Sequence, residues 1–324
     1  MSQSNGLPPE LAGASARLRE CLAQFEQAAT DARGAIIVAE SGLDAEAVGR
    51  SLHGRAAHEG PFVVASCAGG GAEIERGLFG AGARRRGEAL ETLSAGSALL
   101  RARGGALFLE DLAELPAATQ RRLARVLRDG EARLARTAPP QPLAVRVIAA
   151  VTGSLATAID DGRVLADLVR RLPLLVEVPP LRQRREDVAE IAARILSERA
   201  PGRQFTPAAL TVLAALPWRR NVAELRALID RLAAVAPAPT IRQEDVLAEV
   251  QLDRPPLRLA SNLREARRQF ERDHIAAVLR DYGWQMRDAA RALGMERTNL
   301  YRKARQLGIP LRRGTAATAR GARW

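Results

Sequence analysis

A chain of 324 residues, 47% hydrophobic and 27% charged, is long enough for about two or three domains with buried cores. Its formal charge of +12 points to an anionic partner, nucleic acid first. It has no bilayer-length apolar run and no charged-then-apolar leader in Met1–Gly13, and Cys21 and Cys67 lack metal-ligand or disulfide-framework spacing. Membrane, secreted and cysteine-framework classes are therefore excluded, and a cytoplasmic protein with no metal site is expected.

Leu7–Ala32 places Leu11, Leu18, Leu22 and Phe25 near helical spacing and predicts a helix. Ala35–Ala39 predicts a short buried strand, followed by a turn with Ser41 and Gly42 and a helix over Glu46–His53. Apolar strand, short turn and helix are the outline of a phosphate-binding loop. A working loop wants G-x-x-x-x-G-K, whose glycines let backbone N–H groups close on phosphate and whose lysine reaches the outer phosphates. Here Ile36–Arg50 reads "IIVAESGLDAEAVGR", and the one lysine of the whole chain is Lys303. No other register supplies the missing cation.

Further along, Pro61–Ser66, Ala106–Leu109 and Val145–Val151 predict strands. Ala117–Leu127 predicts a helix, and Ile74–Phe79 lies between Gly/Ala-rich loops at Ala68–Ala72 and Gly80–Gly87. Short apolar strands alternating with helices argue for an α/β fold, a parallel sheet covered on both faces. From Glu186 the strands stop. Asp187–Arg199, Pro207–Ala215, Val222–Val235 and Gln243–Val250 read as helices. Glu186 and Asp187 suit a helix N-terminus, and Trp218 is expected to pack this helical block. Leu252–Ser261 has linker composition, and the Gly-, Ala-, Thr- and Arg-rich tail Arg312–Trp324 is expected to be disordered. His53, His58 and His274 are isolated, which favours structural or surface roles.

The last ordered block carries the charge. Between Asn262 and Arg313, 13 Lys and Arg stand against 6 Asp and Glu, a net of +7. A helix over Leu263–Asp281, with Phe270, Ile275, Val278 and Leu279 inward, is ended by Gly283. A short helix over Met286–Leu293 follows, with Trp284 beside it as a core anchor, then a turn at Gly294 and a third helix over Arg297–Gln306. Two short helices across a glycine turn, each with an apolar inner face, form a helix-turn-helix pattern. On the third helix Leu300, Ala304 and Leu307 share one face. Arg297, Thr298, Asn299, Tyr301, Arg302, Lys303 and Arg305 are the candidate DNA-binding residues: Arg suits guanine, Asn suits adenine, and the others suit phosphates.

This block also resembles the Fis-type C-terminal domain of NtrC-family regulators, whose pattern is met by Ala289, Ala290, Leu293, Gly294, Met295, Arg297, Leu300, Arg302 and Lys303; "MERTNLYRK" is similar to the NtrX branch. The first 250 or so residues resemble the AAA+ domain of the activators that open promoters for the alternative sigma factor of nitrogen regulation. In order come "ESG" (Glu40–Gly42), "PFV", "LFG", "GGALFLED" (Gly104–Asp111), "VRVIAA", "RRL", "PPLRQRREDV" and "PWRRNVAELR". The resemblance implies an AAA+ sheet with an all-α lid, a dimer or higher oligomer, two DNA half-sites, and contact with RNA polymerase.

It also shows departures. The family's G-E-S-G-T-G-K-E aligns with Ala39–Glu46, placing Asp44 at a glycine and Ala45 at the lysine. Removal of that cation, with a carboxylate at the glycine before it, disfavours phosphate. The strand-end acidic pair is Glu110–Asp111, in swapped order. Thr152 stands at the polar sensor, Leu165 and Arg171 at the two arginines that reach a neighbouring subunit, and Ala223 at the sensor arginine. The vestigial nucleotide site is therefore Glu40, Ser41, Gly42, Asp44, Ala45, Glu110, Asp111, Thr152 and Arg171. No cofactor is expected beyond weak ATP or ADP binding. The sigma-gripping loop aligns with Ala81–Ala89, "AGARRRGEA", without its Phe-Thr core, and Arg84–Arg86 read as a solvated turn or an anion contact. No receiver domain is read.

The expected organisation is a degenerate AAA+ core over 1–182, a helical lid over 183–252, a linker over 253–261, a Fis-type helix-turn-helix domain over 262–311 and a basic tail over 312–324. The expected function is a regulator that binds double-stranded DNA through an inert AAA+-like scaffold and is not a conventional alternative-sigma activator. Two other readings stand beside it: an active ring-forming ATPase activator, and an interaction protein that mixes with a complete paralogous AAA+ regulator and antagonises it.

Overall fold

The computed structural model describes residues 7–56, 60–80, 90–134, 138–235, 239–252, 263–282 and 284–309. They form two compact units that divide between Asp253 and Arg254. The expected linker, the tail after residue 311, His58, Gly283 and the "AGARRRGEA" segment lie outside the described residues, as does the Phe270 side chain. No helix among the described residues is long and apolar enough to cross a membrane.

In chain order the first unit contains α1 (Ala16–Thr30), β1 (Ala35–Ala39), α2 (Ala45–Arg55), β2 (Phe62–Ala65), α3 (Gly71–Phe79), β3 (Glu91–Thr92), α4 (Ala98–Arg101) and β4 (Ala106–Leu109). Then come α5 (Ala117–Asp129), β5 (Glu131–Arg133), β6 (Gln141–Pro142), β7 (Arg146–Thr152), α6 (Leu155–Asp160), α7 (Ala166–Val169) and β8 (Leu174–Glu177). The helical part follows with α8 (Val188–Arg199), β9 (Gln204–Phe205), α9 (Pro207–Ala215), α10 (Asn221–Val235), β10 (Thr240–Ile241) and α11 (Gln243–Leu252).

The main sheet runs β2-β4-β7-β1-β8, all parallel. Successive side chains go to opposite layers. Ile36, Leu107, Val147 and Val151 enter one core, while Ile37, Phe108, Ile148 and Ala150 enter the other. Burying each of the larger ones contributes about 1.5–3 kcal/mol, which is why strands covered on both faces read as unbroken apolar runs. The fifth strand, β8, escapes the sequence reading because its four residues lie close to Pro173 on one side and Pro179 on the other. Only pairing with β1 makes it a strand, with Ala35 opposite Leu174.

The expected helix over Leu7–Ala32 is in fact broken. A 3-10 turn at Pro9–Leu11 precedes an extended stretch, and α1 begins only after Ser15, whose Oγ accepts the Leu18 N–H at 3.2 Å. The reason is tertiary. Gly13 has φ +128°, and a Cβ there would lie 2.2 Å from Asp187 Cγ. The Asp187 carboxylate accepts the N–H groups of Ala14 and Ser15, both at 2.9 Å, and the Ser15 hydroxyl at 2.6 Å. Asp187 stands at the N-cap of α8, as its place before that helix predicts, but its side chain makes no cap bond to α8.

The helical part has its own core, including Leu181, Ile191, Leu213, Leu225 and Ile229. Trp218 packs it as expected, 3% exposed, with Nε1 donating to the Leu213 carbonyl at 2.8 Å. His53 also has a structural place, its Nε2 lying 2.9 Å from the Gly60 carbonyl oxygen.

The second unit holds α12 (Leu263–Asp281), α13 (Met286–Ala292) and α14 (Arg297–Gln306). Ile275, Leu279, Ala289, Ala290, Leu300 and Ala304 form its core, with Trp284 packed against it. The two short helices end alike. Gly294 and Gly308 adopt φ of +63° and +68°, and the next N–H, of Met295 or Ile309, reaches back to the carbonyl of Ala290 or Ala304 at 3.0 Å. That is the glycine C-cap at which a helix stops and the chain turns.

Candidate functional site

β1 runs into a turn, Glu40–Leu43, closed by the Leu43 N–H on the Glu40 carbonyl at 3.1 Å, and α2 starts at Ala45. The loop, Glu110 and Thr152 border one cavity of about 280 Å³. Four carboxylates, Glu40, Asp44, Glu46 and Glu110, lie on its wall, and among the described residues no basic side chain does.

Each acid has a definite environment. Asp44 is the N-cap of α2, and its Oδ1 accepts the Ala47 N–H at 2.9 Å. A carboxylate therefore occupies the positive end of the helix, where orphan N–H groups otherwise hold anions. Glu40 faces Arg182, with Oε1 2.6 Å from Nη2, and that bond holds its carboxyl below the ordinary 4.5. Glu46 pairs with Arg50 one turn on.

The swapped pair separates. Glu110 is exposed at the cavity, whereas Asp111 caps the 3-10 turn at Leu112–Glu114, its Oδ1 accepting the Ala113 N–H at 3.0 Å. Arg171 is exposed beyond α7 and does not line the cavity. The structure thus gathers Glu40, Ser41, Gly42, Asp44, Ala45, Glu110 and Thr152, and leaves Asp111 and Arg171 aside.

The lid closes directly on the loop through Asn221, which has no assigned role in the sequence, and through Ala223, which stands at the sensor arginine. Asn221 is 1% exposed, at φ +49°; its Nδ2 donates to the Ser41 carbonyl at 2.9 Å and its Oδ1 accepts the Leu181 N–H at 3.0 Å. The Ala223 N–H donates to the Gly42 carbonyl at 2.8 Å. The motifs "PPLRQR" and "PWRRNV" mark Arg182 and Asn221 but do not say whom they meet. Gly42 has φ +85°, and a Cβ there would stand 1.9 Å from the Arg220 carbonyl oxygen. Gly42→Ala is therefore expected to cost more than about 1 kcal/mol in backbone strain alone, and more for the clash. A thermal melt of the full chain, beside Gly54→Ala where a Cβ meets nothing within 4 Å, checks this.

In the second unit Arg297, Thr298, Asn299, Tyr301, Arg302 and Arg305 are exposed on α14, and all but Asn299 line one surface recess of about 510 Å³. Arg302 Nη2 donates to Asn299 Oδ1 at 3.2 Å, so the two candidate base readers are already oriented together. Lys303 departs from the expectation. It is half-buried and turned to α12, with Nζ 3.0 Å from Glu271 Oε2. Its position on the flank of α14, between the apolar and polar faces, brings it within reach of that acid.

A parallel α/β core with a helical lid and a phosphate-loop cleft, on one chain with a helix-turn-helix unit, defines a regulator of the AAA+ class. The sequence matches the sigma-54 interaction domain over residues 11–177, the AAA+ ATPase lid domain over 182–263 and the Fis family of bacterial regulatory proteins over 266–307. NtrX of Azorhizobium caulinodans is 31% identical over 321 residues, which cover 93% of this chain and 70% of that protein. NorR1 of Cupriavidus necator is 30% identical, covering 92% of this chain and 64% of its own length. The crystal structure of Brucella abortus NtrX in complex with ADP superposes with a TM-score of 0.60 at 30% identity, covering 93% of this chain and 69% of that one. A RuvB mutant of Thermotoga maritima, 17% identical with a TM-score of 0.51, shares the fold alone. The chain belongs to the NtrC-type family of transcription regulators, with a sigma-54 interaction domain, an AAA+ lid and a Fis-type helix-turn-helix.

Proposed function

We propose that this chain binds double-stranded DNA through α14 and regulates transcription without hydrolysing ATP, its AAA+ module serving as a scaffold for self-association or for a partner such as RNA polymerase or a complete paralogous regulator. The observation that carries the second half is the cavity beside the loop, with four carboxylates on its wall and no described basic group. A triphosphate brought there meets like charge at close range, and at the start of α2 the Ala47 N–H is already engaged by Asp44. The residues do not fit ATP and magnesium, so no hydrolytic step is derived. Without the pull of nucleotide, the lid is held to the loop by Asn221, Ala223 and the Arg182–Glu40 pair. The same reading makes the chain an unconventional regulator, not an alternative-sigma activator driven by ATP.

The test is direct. The full chain with about 1 mM MgATP, the upper end of ordinary KM values, is expected to release no phosphate above the blank and to show the same DNA affinity with and without nucleotide. Turnover that disappears in Glu110→Gln would overturn the proposal.

A further inference from the structure

A second cavity, of about 320 Å³, shares Gly42, Leu43 and Asp44 with the first and lies between the N-terminal turn, the loop and α10. Its wall includes Glu10, Asp44, Asp230, Gly42, Ala223 and Arg226. Glu10 is the unusual member. It is 1% exposed, and its Oε2 has no hydrogen-bond partner. Burying an acceptor of this kind without a partner costs free energy that a pure packing role does not require. Its backbone carbonyl is held by Arg184 Nη1 at 2.7 Å, so the segment that presents it is fixed. The other charges around it divide unevenly. Asp44 faces the same space while capping α2, Asp230 lies 3.5 Å from Arg199 Nε, and Arg226 is the one basic side chain on the wall among the described residues.

We infer that this cleft binds a small organic cation, a protonated amine or guanidinium, through Glu10 with Asp44 as the second acid. Such a donor supplies the hydrogen bond that Glu10 Oε2 lacks and a positive charge against a carboxyl that burial pushes toward its neutral form, and a charge-assisted bond in a half-closed cleft is the strong kind. A bare metal ion does not suit the place, because no group of three His, Cys, Asp or Glu among the described residues has metal-binding geometry. A volume near 320 Å³ is at the small end of ligand cavities, which suits a molecule the size of agmatine. Asp44 then serves both cavities, turning phosphate away in the first and receiving a cation in the second. The inference rests on the reading that the cleft no longer takes a triphosphate.

The experiment titrates agmatine into the full chain at constant ionic strength and follows binding by calorimetry and Tm, with MgADP in a parallel arm. Saturable agmatine binding is expected, weakened about 10–100-fold in Glu10→Gln, the range for loss of one charge-assisted hydrogen bond. Arg226→Gln, which removes a repelling charge, is expected to tighten it. The variants are compared only where circular dichroism matches the parent. Absence of saturable binding, or equal binding by Glu10→Gln and the parent, overturns the inference. The ADP arm separates the two claims. If neither compound binds, the cation site fails and the non-hydrolysing scaffold stands. If ADP binds and agmatine does not, the cation site fails and the scaffold reading loses its charge argument; if both bind, the cation site stands and only that argument is lost.

Discussion

Asp187→Ala is expected to lower the unfolding free energy of the first unit by about 3–5 kcal/mol, the cost of leaving a buried charge without its counter-charge. Asp187 is 2% exposed and accepts three hydrogen bonds from the Ala14–Ser15 segment. Nearby, Arg184 is fully buried. One of its nitrogens donates to the Glu10 carbonyl, while Nε and Nη2 have no partner. Burial pulls the Arg184 pKa down, and the Asp187 charge is the largest influence holding it up. Alanine at 187 removes that charge and orphans the two N–H groups at the start of α1. Urea unfolding of the full chain measures the effect, with the exposed neighbour Glu186→Ala as control. Equal midpoints for the two variants would show that Asp187 does not pin the N-terminal segment to the lid.

Arg302→Ala is expected to weaken binding to a specific duplex by about 1–3 kcal/mol, or roughly 5–150-fold, with a much smaller loss on random DNA. The difference follows from the division of labour on α14. Arg302 is exposed and oriented by Asn299, as a base-reading guanidinium must be, whereas Lys303 already has Glu271 and offers less to a phosphate. Fluorescence anisotropy on a duplex selected by the protein, at several salt concentrations, separates the two kinds of contact. The parent's affinity should fall steeply with salt, and the slope should change little in Arg302→Ala. Equal losses on selected and random duplexes would remove Arg302 from base reading.

Much of the architecture was legible because it is written in local periods. Leu300, Ala304 and Leu307 recur at helical spacing, and the glycines at 294 and 308 stop their helices, so α14 was placed from Arg297 to Gln306 without help from the rest of the chain. The same holds for β1 and β4, whose apolar runs lie between turn residues. Where the local pattern misleads, the cause is a partner remote in sequence. The break in the first helix answers to Asp187, some 172 positions away, and the strand β8 exists through β1.

By itself the sequence determined that no lysine is available to the loop, since Lys303 is the chain's one lysine, and that a carboxylate stands at residue 44. These are facts of composition and order, and no fold alters them. Only the tertiary structure decided what the remaining groups do: that Asp44 caps α2, that Glu110 faces the cleft while Asp111 turns to its own backbone, and that Lys303 leans on Glu271. It also decided that Glu40 meets Arg182, 142 positions away. Periodicity reports which residues share a face of one element, whereas the partner of a charge depends on how separate elements pack, and packing is settled by contacts between segments far apart in the chain.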